Sequence, residues 1–235
     1  STQTVDLLIA SIDKELVLRK NYLRDEVVET IYFGGGTPSL VDTHLIKSLL
    51  DTIYREYNVE PDPEISLEAN PDDLTKEKSE KLFQTGINRL SIGIQSFSDE
   101  DLRFMNRAHD SKQALSAVKN TKQAGFKNIS IDLIYGIERS TPGQWEKNID
   151  MALSLDVEHL SCYALTIEPR TALADMIRKK KVSAPDDEKT ISDFELLMKR
   201  TAEAGFEHYE ISNFARNKKY SRHNTSYWQG KKYLG

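Results

Sequence analysis

Cysteine is almost missing from this chain. Cys162 is the only one among 235 residues, so no internal disulfide can form. That suits a reducing compartment, and the cytoplasm is the expected location. One thiol also cannot hold a zinc ion or an iron–sulfur cluster by itself. Long apolar runs are missing too: no stretch approaches the roughly 18 residues that a transmembrane helix needs. No secretory leader pattern is seen. Positive charge is not in excess either. Lys and Arg number 32 against 37 Asp and Glu, a formal net charge of -5, so the chain as a whole exerts no pull on nucleic acid or on an anionic membrane. Ser1 starts inside a helical pattern and Gly235 follows Tyr-Leu without a stop signal. Both ends read as cuts in a longer protein.

What is present is an alternation of strands and helices. Apolar residues at helical spacing predict a helix over Val5 to Tyr22, and Thr30 to Phe33 reads as a strand. Further strands are predicted at Glu64–Ala69, Asn88–Gln95, Ile129–Tyr135 and His159–Leu165, with a sixth at Glu207–Ile211. Helices fall between them, two of them stopped by Gly86 and Gly125. Strand followed by helix, repeated about five times, predicts a parallel α/β sheet with right-handed crossovers. The leading expectation is a complete or partial (β/α) barrel, with an open doubly wound sheet as the alternative. Residues 216–235 are basic and aromatic, with little regular pattern.

The chemistry-bearing residues cluster at the C-terminal ends of these strands. Gly34-Gly35-Gly36-Thr37-Pro38-Ser39 follows the first of them. Backbone without Cβ atoms lets a ligand reach N–H and C=O groups directly, although such a run also serves as a plain tight turn. Side chains two apart share a face of a strand. Glu64, Ser66 and Glu68 therefore share one face, as do Ser91, Gly93 and Gln95, and Ser130 and Asp132. Charges inside a parallel sheet cost several kcal/mol unless paired, so Glu68 and Asp132 are either structural ion partners or ligand contacts. Strand C-termini are where α/β folds bind ligands. The pattern fits a ligand with an amine or hydroxyls for the carboxylates and a polar end for the bare backbone, such as a nucleoside joined to an amino acid.

Five motifs in order, Y-F-G-G-G-T-P-S, E-A-N-P, R-L-S-I-G-I-Q-S-F, N-R-x-H and I-D-L-I-Y-G, resemble those of the radical S-adenosylmethionine enzymes. More narrowly, they are similar to the oxygen-independent coproporphyrinogen III oxidases and their HemW heme-chaperone relatives. The stretches His208–Ala215 and His223–Trp228, with Y-E-I-S-N-F-A and H-N-x-x-Y-W, look closer to the chaperone branch. The resemblance implies a (β/α)6-type partial barrel over residues 1–215, lacking its first strand and cluster loop, and the start of a truncated C-terminal extension over residues 216–235. It implies S-adenosylmethionine as cofactor, with Gly35, Gly36 and Thr37 at its aminocarboxylate and Glu68 at a ribose hydroxyl or the amine. It further implies that Gln95, Arg107 and Asp132 line a second such site. It also implies a [4Fe–4S] cluster on a C-x3-C-x2-C segment that this chain lacks, its ligands being expected upstream of Ser1.

In the family, one-electron cleavage of S-adenosylmethionine gives a 5′-deoxyadenosyl radical, and the oxidases use it to turn propionates into vinyls in porphyrin biosynthesis. Two roles stay open, beside a third in which a degenerate member binds nucleosides without radical chemistry. One is a non-enzymatic chaperone that binds heme, with His223 as the candidate heme contact, and passes it to an acceptor protein. The other is an oxidoreductase that decarboxylates coproporphyrinogen III with electrons from a donor protein. His109 beside Arg107 is either part of the site or an ordinary loop residue, whereas His44 and His159 read as structural. Arg216, Lys218, Lys219 and Arg222 either meet propionates or form a solvated tail.

Overall fold

The structure is a computed structural model and describes residues 2–235. In chain order α1 (Thr2–Leu18) leads to β1 (Val28–Phe33), α2 (Thr43–Glu56), β2 (Val59–Ala69) and α3 (Lys76–Gln84). Then come β3 (Arg89–Gln95), α4 (Asp99–Phe104), α5 (Ser111–Ala124), β4 (Asn128–Tyr135) and α6 (Gln144–Ser154). The chain closes with β5 (His159–Ala164), α7 (Ala172–Arg178), α8 (Asp187–Glu203), β6 (Glu207–His208), β7 (Asn213–Ala215) and α9 (Arg222–Trp228). One seven-stranded sheet runs β1-β2-β3-β4-β5-β7-β6. Its first five strands are parallel, and β7 and β6 are antiparallel additions. This is a mixed α/β fold with a mainly parallel sheet.

Local chemistry explains the elements. Asp42, Thr75, Ser98, Asp110 and Asp186 each accept a backbone N–H at a helix start, meeting donors that the first turn leaves unpaired. Asp110 and Gln113 form a full capping box. Gly125 ends α5 at φ +109, a conformation that side chains with a Cβ resist.

The two faces of the sheet differ sharply. Ile31, Ile65, Leu67, Leu90, Ile92, Ile131, Leu133, Leu160 and Cys162 point outward into the core cluster. They pack on Ile46, Leu50, Leu82, Ala117, Val118, Ile149 and Leu197 from the helices. The other face carries Thr30, Tyr32, Glu64, Ser66, Glu68, Arg89, Ser91, Ser130, Asp132, His159 and Ser161. The register lines these residues up in rows, Thr30 beside Glu64, Ser66 beside Arg89, and Asp132 beside Ser161.

Three elements depart from the sequence reading. The helix expected to reach Tyr22 stops at Leu18 and buries Ile9, while Leu7 and Leu8 stay exposed. The sixth strand is two short strands instead of one segment over Glu207–Ile211, because the chain turns after His208 and Ser212 N–H bonds to the Glu210 carboxylate. The tail, expected to be irregular, forms α9.

The backbone of the first turn of α9 is held at one carboxylate. Glu64 Oε2 accepts from Arg222 N at 3.1 Å and Oε1 from His223 N at 3.0 Å. Ser221 caps the same turn by accepting from Asn224 N. Across the sheet Arg89 Nε lies 3.8 Å from Glu64 Oε2. The two side chains are 3% and 4% exposed, so neither charge has water to fall back on. Glu64→Ala should therefore destabilise the chain by about 3–5 kcal/mol in urea denaturation, the usual result of stripping a buried charge of its partner. A loss under about 1 kcal/mol would show that Arg89 finds solvent instead.

Candidate functional site

The glycine run divides by role. A Cβ at Gly34 would sit 2.5 Å from Tyr32 Cε1 and 3.1 Å from Glu68 Oε1. This glycine makes room for the Tyr32–Glu68 pair. Gly35 and Gly36 have φ +76 and +63, with nothing within 4 Å of an added Cβ. They leave bare backbone open to a ligand. Thr37 then enters a single 3₁₀ turn, Pro38–Leu40. Ser39 Oγ donates to Asp73 Oδ2 at 2.6 Å and accepts from Asn70 N at 3.2 Å, which fastens the loop to the turn after β2.

Glu68 faces this loop from β2. It accepts from Tyr32 Oη at 2.7 Å and from Gly35 N at 3.2 Å. Gln95 ends β3 at φ +67, beyond a register shift against β4. Gly93 leaves room for the Gln95 amide, since a Cβ there would lie 2.9 Å from Gln95 Nε2 and displace it. Asp132 accepts from Ser91 Oγ at 3.0 Å. It is closely surrounded by protein yet keeps an opening to the polar face, and burial pushes its carboxyl up to about 6 against the pull of Ser91, Ser161 and Arg89. Glu68 adds to that rise, and Arg107 feels the charges of both Asp132 and Asp72. Gly35 and Glu68 touch at this rim, Asp132 and Arg107 lie within electrostatic reach of it, and the Gln95 amide stands over Gly93, with Gly36 and Thr37 continuing the loop.

His223 lies elsewhere, deeper along the same face. Its Nδ1 is 3.1 Å from Thr30 Oγ1 and its ring stacks on Tyr32, with centroids 4.5 Å apart at 17°. Burial lowers its pKa. Among the described residues its Nε2 has no hydrogen-bond partner. Tyr227 meets it edge-on, and Tyr227 and Trp228 are exposed. Arg216 is committed to Asp156 and Glu158, and Arg222 to Glu60 and Glu29. Lys218 and Lys219 are exposed. His109 is buried against the Ile94 carbonyl at 3.0 Å, and His159 between Ser130 and Tyr209. His44 is an exposed partner of Asp42. The sequence reading did not single out Tyr32. The signal was there, because strand alternation sets Tyr32 on the same face as Gly34.

Residues 9–152 match the Radical SAM superfamily. The chain belongs to this superfamily. It is 36% identical to the heme chaperone HemW of Bacillus subtilis (strain 168) over 235 residues, 100% of this chain and 62% of the relative. It is 35% identical to HemW of Mycobacterium tuberculosis (strain ATCC 25618 / H37Rv) over 98% of this chain and 59% of that one. A mitochondrial protein of Danio rerio, radical S-adenosyl methionine domain-containing protein 1, is 34% identical over 88% of this chain and 47% of its own length. The chain spans at most 62% of these curated relatives. Among solved structures, the coproporphyrinogen III oxidase HemN of Escherichia coli, a radical SAM enzyme, superposes with a TM-score of 0.81 at 23% identity, covering 98% of this chain and 52% of that one. This likeness concerns the fold.

The radical SAM family implies S-adenosylmethionine and a [4Fe–4S] cluster. The residues present fit the first: an open Gly35–Gly36 backbone stands beside a carboxylate and a second, deeper acid. They do not fit the second. Cys162 is buried on the outward face, its thiol pushed far above the ordinary range by burial. Among the described residues no three His, Cys, Asp or Glu side chains group as metal ligands.

Asp132 yields a pH prediction. Its folded pKa of about 6 lies above the unfolded value of about 3.9. The folded state therefore binds the extra proton between those values, and stability falls as pH rises through that window. Asp132→Asn should flatten this stretch of the stability curve. Carboxyl ¹³C NMR should find one acid titrating near 6 that the variant lacks; a curve unchanged by the variant would contradict the assignment.

Proposed function

We propose that this chain is the radical SAM core of a heme chaperone, holding S-adenosylmethionine at the rim and heme at α9. The observation that carries the reading is the placement of His223, the histidine of the H-N-x-x-Y-W segment, on the same polar face as the rim. It has one ring nitrogen held by Thr30 and the other without a partner among the described residues. Imidazole in that state is a ready axial ligand for heme iron. Identity of 35–36% to the two HemW proteins supports the same reading.

At the rim the Gly35 and Gly36 backbone, with Thr37, would receive the aminocarboxylate of S-adenosylmethionine. Glu68 would take its amine or a ribose hydroxyl. Gln95, Arg107 and Asp132 would bound a second molecule of it. When bound, the cofactor supplies an alkyl sulfonium, and these residues supply its orientation. Glu68 offers the negative charge, Arg107 balances Asp132, and the Ser39–Asp73 bond keeps the loop in place. The cluster would come from a segment outside this sequence. An electron donor, a heme acceptor protein and a cytoplasmic setting complete the proposal, with residues 1–215 as the barrel core and 216–235 as the start of a further region. No helix among the described residues is long and apolar enough to cross a membrane.

Titration with ferric heme tests the reading. The protein should shift the Soret band, and His223→Ala should weaken binding by about tenfold or more. Full-length protein carrying its cluster, kept without oxygen and given coproporphyrinogen III, should yield no vinyl product. Vinyl product without heme binding would overturn the chaperone reading in favour of the decarboxylating oxidase.

A further inference from the structure

The side chain of Tyr32 joins the rim to α9. Tyr32 Oη donates to Glu68 Oε1 at 2.7 Å, while Gly35 N donates to the other oxygen, Oε2, at 3.2 Å. The back of the same phenol ring carries the His223 imidazole at 4.5 Å. The ring lies close over Gly34, where an added Cβ would stand 2.5 Å from it. Glu64 holds the backbone of His223, and Thr30 holds its Nδ1. Each group in the line from α9 to the Gly35 amide is therefore fixed by the next.

We propose that Tyr32 is a positioning residue that couples the occupant of His223 to the occupant of the rim. It rests on the reading of the rim and of His223 given above. A metal bound at His223 Nε2, the nitrogen left open while Thr30 holds Nδ1, recentres the imidazole on itself. That displacement shifts the wall behind the Tyr32 ring. The phenol then loses its fixed aim at Glu68, and the carboxylate loses a donor at the edge of the glycine loop. Coupling between sites is reciprocal. A rim ligand that holds Glu68 in place therefore also holds the Tyr32–His223 stack, and the two occupants disfavour each other. Burial and the Glu68 charge keep the phenol protonated, so Tyr32 remains a donor throughout.

The test is a cycle of variants on the ¹⁵N-labelled chain, read at the Gly35 amide resonance without any ligand. His223→Ala should move that resonance. His223→Phe, which keeps a ring against Tyr32, should leave it close to the wild-type position. In a Tyr32→Phe background, which keeps the stack but not the hydroxyl, His223→Ala should no longer move it. A Gly35 amide that ignores His223→Ala, or that moves equally in both backgrounds, would overturn the coupling. A second arm measures S-adenosylmethionine binding with and without ferric heme. Heme should weaken it about fivefold in the wild-type chain and leave it unchanged in Tyr32→Phe; equal weakening in both would also overturn the coupling. Failure of the chain to bind either molecule would count against the functional reading, while the ligand-free cycle would still decide the role of Tyr32.

Discussion

One buried carboxylate, Glu64, joins the first turn of α9 to the sheet. It stands on the polar face of β2, where a lone charge would cost several kcal/mol. Arg89 from β3 and two backbone N–H groups from α9 meet that cost. α9 has seven residues, too few to be stable alone, so its position depends on what it docks against. Everything that α9 presents follows from this anchor: the His223 ring on Tyr32, the exposed Tyr227 and Trp228, and the commitment of Arg222 to acids at the start of β1 and β2.

The same face explains why a parallel sheet tolerates so many polar groups. Its outward side is a continuous apolar surface against the helices and supplies the burial that stabilises the fold. The inner side is thereby free to carry function. It has a floor, where Glu64 meets the returning tail and the Arg89 charge and where Ser130 bonds His159, and a rim, where Gly35, Glu68, Arg107 and Asp132 remain partly open beside the buried Gln95. Tyr32 stands between the two levels. The division of labour within the glycine run follows: Gly34 clears space for Tyr32, and Gly35 and Gly36 supply bare backbone.

The five parallel strands and the polar positions on them could be read in the sequence because both rest on local rules, whereas Arg107, in the loop after α4, enters only through the family resemblance. Period-two alternation in R-L-S-I-G-I-Q and I-S-I-D-L-I-Y separates the two faces, and Gly86 and Gly125 mark helix ends. Part of what escaped depends on distant partners. α9 lacks a clear apolar period, and its anchor lies 159 residues away in the chain. The β6–β7 turn depends on Ser212 bonding to Glu210 and on β7 pairing back to β5. In the first helix the apolar period extends past the true end at Leu18, and Leu7 and Leu8 face solvent. Tyr32 reads as an ordinary strand aromatic until Glu68 and His223 are seen on either side of it.

The rim is tested most directly by equilibrium dialysis of radiolabelled S-adenosylmethionine against the chain, Glu68→Ala and Gly36→Val. If the rim is the site, binding is saturable. Both variants then weaken it by about tenfold or more, as loss of a charged hydrogen-bond partner or of open left-handed backbone should. Saturable binding that neither variant disturbs would contradict that placement.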